Sequence, residues 1–84
     1  MSDSLALVLQ QAIRAERARL GLSQAQLGER VGWSPTRVAA IESGSRRIYA
    51  HELPDICEAL ETPLAELIRR ANERDRRWLS TDIP

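Results

Sequence analysis

His51 and Cys57 are the chain's only histidine and its only cysteine, so the usual ingredients of catalysis are scarce. With no second histidine and no other thiol they cannot build a metal site together. Cys57 also falls on an apolar stripe with Leu53, Ile56 and Leu60, where a cysteine packs as a small hydrophobe. A histidine near a helix start is most often a surface residue. No glycine loop of the phosphate-cradling kind and no paired-carboxylate arrangement is present, so no enzyme, cofactor or metal is expected. The remaining chemistry belongs to arginine. All twelve basic residues are Arg, which carries little weight because a GC-rich genome produces the same bias. Their distribution says more. Residues 1–51 hold seven arginines against four acids, and residues 52–84 hold five against eight, so charges of +3 and −3 sum to zero. Such segregation is a partner signal, while zero net charge argues weakly against a general polyanion binder.

These residues must be positioned by one small domain. The chain has 84 residues, 43% hydrophobic and 29% charged, the profile of a soluble globular protein with a thin core. A single domain over residues 1–79 and a frayed tail over 80–84 are expected. One cysteine excludes an internal disulfide, and no apolar run approaches the ~18–20 residues of a membrane span. The opening MSDSLALVLQ has no basic region before its short apolar stretch, so no leader is expected and a cytoplasmic location is the default.

No segment alternates with period two, so the chain reads as all-α. Punctuation places five helices, at about 5–20, 24–31, 35–43, 50–61 and 64–78. Asp3 or Ser4 caps the first and Gly21 stops it. Ser23-Gln24-Ala25-Gln26 is a capping box for the second, which Gly32 ends. Ser34 caps the third, with Pro35 in its first position, where a missing N–H is harmless, and Gly44 follows its end. Pro54 fits only the first turn of the fourth, and Thr62-Pro63 precedes the fifth. Apolar residues recur at helical spacing: Leu9, Ile13 and Leu20; Leu27 and Val31; Val38 and Ile41; Leu53, Ile56, Cys57 and Leu60; Leu64, Leu67, Ile68 and Ala71.

Residues 24–43 are two short helices joined by a tight turn, the grammar of a helix-turn-helix. Glycine inside a helix costs ~1 kcal/mol against alanine, so Gly28 suggests that the third helix crosses too closely for a larger side chain. Gly32 supplies a left-handed turn, and Trp33, Val38 and Ile41 lock the pair together. At this level the segment LGLSQAQLGERVGWSPTRVAAIESGSRR resembles the lambda-repressor/Cro-like, XRE-type bacterial and phage DNA-binding domains. The resemblance runs from about Ile13 to Ala71. It is carried by Arg17, Gly21-Leu22-Ser23-Gln24, Leu27, Gly32, Val38, Ile41, Glu42 and Gly44. Gly28 and Trp33 depart from the family's usual alanine and aliphatic residue, which touches packing and leaves function alone.

The resemblance implies a compact five-helix fold whose third helix enters the major groove with its N-terminal half. With Val38 and Ile41 inward, helical rotation puts Thr36, Ala39, Ala40 and Ser43 outward and Arg37 on a flank. Ser34, Pro35, Thr36, Arg37, Ala40 and Ser43 are therefore the expected groove residues, with Thr36 and Arg37 able to reach base edges. So few polar groups leave a share of specificity to DNA shape. Gln24, at the start of the second helix, is implied to meet a phosphate, and Arg46 and Arg47 in the following link to grip the backbone. Arg14 and Arg19 read as surface charges. Arg17 lies on the buried stripe of the first helix and needs a partner. Glu42 lies on the inward side of the third, and the family pairs the equivalent residues, so a bidentate ion pair is expected.

Trp78 continues the stripe of the fifth helix beyond what a minimal domain needs. It either folds back on the over-apolar start Leu5, Leu7, Val8 or joins Leu64, Leu67, Ile68 and Ala71 at a dimer interface rimmed by Arg70, Arg74 and Arg77. The resulting expectation is a dimeric regulator of transcription, a repressor or autoregulator, reading double-stranded DNA at a pseudo-palindromic operator. The alternative is a protein-interaction or antitoxin-type module of the same fold, with a partner such as a toxin and weak or no DNA binding.

Overall fold

A computed structural model describes residues 2–74, and Trp78 with the tail lies outside the described residues. The described chain is helical, without a strand: α1 (Ser2–Arg19), α2 (Gln24–Val31), α3 (Pro35–Ser43), a 3-10 turn (Ala50–Glu52), α4 (Leu53–Ala59) and α5 (Leu64–Arg74).

Local chemistry explains the boundaries. Ser23 Oγ accepts from the Gln26 N–H at 3.0 Å while Gln26 Oε1 accepts from the Ser23 N–H at 2.8 Å, which closes the capping box of α2. Gly32, at φ 83°, ends α2 in the left-handed region that a side chain disfavours. Two helices differ from the sequence expectation. The first helix begins at Ser2, ahead of the expected caps Asp3 and Ser4. The fourth is split and shorter: Pro54 has no N–H for the Ala50 carbonyl, which instead accepts from the Leu53 N–H and tightens the first turn to 3-10 geometry. Its other end closes at Ala59, because Glu61 turns left-handed at φ 55° and the Thr62 N–H bonds back to the Cys57 carbonyl at 3.0 Å.

Two apolar clusters hold the helices. Ile13 of α1, Leu27 of α2, Val38 and Ile41 of α3, and Ile56, Ala59 and Leu60 at α4 form the first, with Leu20, Val31, Trp33 and Ile48 half-buried against it. This cluster fixes α3 on its inner side. Val8, Leu9 and Ala12 of α1, Cys57 of α4, and Leu67 and Ala71 of α5 form the second. Leu67 and Ala71 are thus not the interface residues that the sequence suggested. At 0% and 3% exposure they are consumed by the protomer's own core, since α5 packs along α1, and Ile68 leans on the same cluster. Arg70 is likewise no free rim residue: it bonds Glu16 of α1 at 2.8 Å and Glu66 at 2.9 Å. Among the described residues of that stripe, only Leu64 stays exposed.

Candidate nucleic-acid interface

The α2–α3 turn is tighter than ordinary side chains allow. The Gly28 carbonyl accepts from both the Gly32 and Trp33 N–H groups, at 2.7 and 2.8 Å. A Cβ on Gly28 would collide with the Trp33 carbonyl oxygen and stand 3.3 Å from its carbon. Glycine is therefore required by the turn's own backbone, and not by the crossing of α3 that the sequence suggested.

On α3, Ser34 caps the helix by accepting from the Arg37 N–H at 3.1 Å, with Pro35 next. Pro35, Thr36 and Ser43 are exposed and Ala39 and Ala40 half-exposed, while Val38 and Ile41 are buried at 2% and 1%. The outward face is small and nearly neutral. Ser43 Oγ is turned back to the Ala40 carbonyl at 3.2 Å, and Ser45 Oγ reaches the same carbonyl at 3.3 Å.

Arg17 and Glu42 are brought together at the junction of α1 and α3. Arg17 Nε donates to Glu42 Oε2 at 2.7 Å and Nη2 to Oε1 at 3.0 Å, while Nη1 donates to the Leu22 carbonyl at 2.7 Å. This is the side-on, two-pronged geometry that suits a half-buried pair. The Glu42 hydrogen bond raises the Arg17 guanidinium further above its ordinary pKa. Gln24 joins the same group, its Nε2 donating to Glu42 Oε1 at 3.1 Å. Glu42 thereby sets the direction of the Gln24 side chain at the N-terminus of α2.

Arg37 and Arg46 are placed differently from their expected reach toward DNA. Both are drawn to Glu52, a carboxylate only 4% exposed. Arg37 Nη2 donates to Glu52 Oε2; Arg46 donates through Nη2 to Oε2 at 2.9 Å and through Nη1 to Oε1 at 3.3 Å. The Tyr49 N–H adds a bond to Oε1 at 2.9 Å. Arg37 lies over the Trp33 ring with Cζ 4.1 Å from its centre, and Arg46 lies 5.6 Å from the Tyr49 ring centre, within cation–π reach. The Arg46 hydrogen bond foremost, then the Tyr49 N–H and Arg37, hold the Glu52 carboxyl at about 2, against the pull of burial in the other direction. Arg47 is exposed, and among the described residues its side chain has no partner.

Two buried carboxylates escaped the sequence reading, although a positional signal existed for each. Glu52 precedes Ile56 and Leu60 by four and eight residues, and Glu16 lies between Ile13 and Leu20, so both sit on apolar stripes. Glu16 binds Arg19 at 2.7 Å and Arg70 at 2.8 Å. Arg19 is therefore paired and not simply a solvated charge. Cys57 is buried, and burial pushes its thiol above the ordinary pKa.

The helix-turn-helix family model matches residues 13–67, most of the chain and all of the site just described. The chain belongs to the helix-turn-helix family. An uncharacterized HTH-type transcriptional regulator of Sinorhizobium medicae (strain WSM419) is 36% identical over 53 residues, which cover 63% of this chain and 38% of that protein. A second of the same description, from Rhizobium meliloti (strain 1021), matches with the same figures. The chain thus spans well under half the length of the curated relatives it matches. Among solved structures, the clp gene regulator ClgR from C. glutamicum superposes with a TM-score of 0.76 at 27% identity, over 84% of this chain and 92% of that one. Within this helix-turn-helix protein, α2 and α3 each bury one side, through Leu27 and Gly28 on α2 and Val38 and Ile41 on α3. Among the described residues no helix is long and apolar enough to cross a membrane, and no group of three or more His, Cys, Asp or Glu could hold a metal.

Proposed function

We propose that this chain binds double-stranded DNA and regulates transcription, with the outward face of α3 laid in the major groove. One observation carries the reading. Val38 and Ile41 pin α3 inward, which leaves a Ser34-to-Ser43 face of small, uncharged side chains that a groove admits closely. Around it, Gln24 at the start of α2 and the exposed Arg47 beyond α3 would meet phosphates on either side, with Arg46 contributing from its place beside Glu52. With Thr36 as the main exposed polar group on α3, direct base readout is narrow, and groove shape supplies the rest. Two copies related by a dyad would double that readout. The reading therefore includes a homodimer on a pseudo-palindromic site, its α3 helices ~34 Å apart.

Family membership and the relatives named as transcriptional regulators support this reading. Its test is a gel-shift with the region upstream of the chain's own gene against a scrambled duplex of equal length. Retardation of the first at lower protein concentration supports it, and equal or absent retardation of both sinks it. A protein-interaction or antitoxin-type module is the second reading, favoured by one observation: two of the expected DNA-facing arginines are already engaged by Glu52. Such a module would leave both duplexes unshifted and sediment with a protein partner.

A further inference from the structure

The cluster around Glu52 has a charge balance that bears on DNA binding. Arg37 and Arg46 contribute two positive charges at the edge of the α3 face, and Glu52 removes one of them. The carboxylate is not a loose surface acid that swings away. It is 4% exposed, held also by the Tyr49 N–H, and both of its oxygens are used. Releasing both arginines would strand a buried charge, which is strongly unfavourable. Arg37 is fastened on two sides, by Glu52 and by the Trp33 ring beneath its guanidinium. It is therefore held in a fixed place and not presented as a free cation.

We infer that Glu52 is a specificity-determining positioning residue: it locks Arg37 as a tie between α3 and the turn before α4, offsets half the charge of the Arg37–Arg46 pair, and so suppresses sequence-independent grip on the phosphate backbone. The inference rests on the proposed DNA-binding reading and deepens it. Its physical basis is counterion release. Non-specific affinity grows with each phosphate neutralised, and its salt slope steepens by about 0.9 per phosphate. A protein that keeps these two arginines half-neutralised discriminates better, because its background binding is weaker while its base contacts are unchanged.

The experiment compares wild type with Glu52→Gln, which keeps the shape and can still accept from the Tyr49 N–H, on a random duplex and on the upstream duplex across a salt series. The expected result is tighter binding of the variant to random duplex. Its salt slope should be steeper by about one, so that its affinity falls about fourfold more than the wild type's between ~50 and ~200 mM salt. The ratio of upstream to random affinity should shrink. A purely structural carboxylate would lower both affinities together and leave the slope in place, and that outcome overturns the inference while leaving the DNA-binding reading intact. If wild type binds neither duplex at any salt, the reading itself falls and the inference with it. Should circular dichroism find Glu52→Gln unfolded, the wild type is asked directly through the carbon-13 shift of the Glu52 carboxylate on adding random duplex. A carboxylate that stays in place supports a fixed lock, and one that shifts as its arginines leave for phosphate overturns it.

Discussion

Replacing Arg17 by Met keeps most of the side chain's apolar stem and deletes its charge, which isolates the pair with Glu42. In the wild type Arg17 makes two bonds to the carboxylate, at 2.7 and 3.0 Å, and one to the Leu22 carbonyl at 2.7 Å. Glu42's side chain is only 3% exposed, so the variant leaves a buried carboxylate with Gln24 Nε2 as its remaining side-chain donor. Breaking a buried pair in this one-sided way costs about 3–5 kcal/mol. A domain of this size has a total stability of roughly 4–13 kcal/mol, so the loss is a large share of it. At about 4–8 °C per kcal/mol, melting should fall by roughly 12–40 °C. Thermal melts followed by far-ultraviolet circular dichroism read this directly. The double variant Arg17→Met/Glu42→Leu removes both charges and should recover much of the loss, since a matched apolar pair is often no worse than a buried ion pair. Base preference in the folded fraction should be unchanged, because neither side chain lies on the outward face of α3. A single variant that melts normally, or a double variant no more stable than the single, would refute the argument that a desolvated charge is what Arg17 protects.

Gly28→Ala should destabilise by about 1–3 kcal/mol in a urea melt despite alanine's better helix propensity, because the new Cβ meets the Trp33 carbonyl. Wild-type stability should fall as pH drops from about 4.5 towards 2. Glu52's folded pKa of about 2 lies below its unfolded value, so its contribution is present above pH 4.5 and is lost as the carboxylate protonates. Acid titrations of stability should show Glu52→Gln lacking that part of the slope, of order 2–3 kcal/mol in total. Glu66 titrates in the same window in both proteins and cancels in the difference. Changing Arg46 and Arg47 to Ala together should weaken binding to all duplexes alike and flatten the salt dependence measured by fluorescence anisotropy.

The extent to which this site was legible in the sequence depended on how local its causes are. The bounds of α2 and α3 are written in adjacent residues, namely the Ser23 and Ser34 caps, Pro35, Gly32 and Gly44, so periodicity and punctuation suffice for them. The Arg17–Glu42 pair was reachable because both residues fall on inward faces, where a charge demands a partner, and because the family resemblance implied the pairing. The destination of Arg37 was not. Its neighbours Trp33 and Glu52 stand on either side of α3 in sequence, and only the packing of the 3-10 turn against α3 brings a carboxylate to it. The stripe of α5 misled for a related reason. Periodicity says that Leu67 and Ala71 share a face, but it does not say whether α1 or a second copy covers that face.

The central claim, that the outward face of α3 meets DNA, is tested most directly by titrating the nitrogen-15-labelled chain with a duplex from its own upstream region and following each backbone amide. The largest shifts are expected at Gln24, from Ser34 to Ala40, and at Arg46 and Arg47, with α5 little changed. Shifts concentrated along α5, or none at saturating duplex, would contradict it.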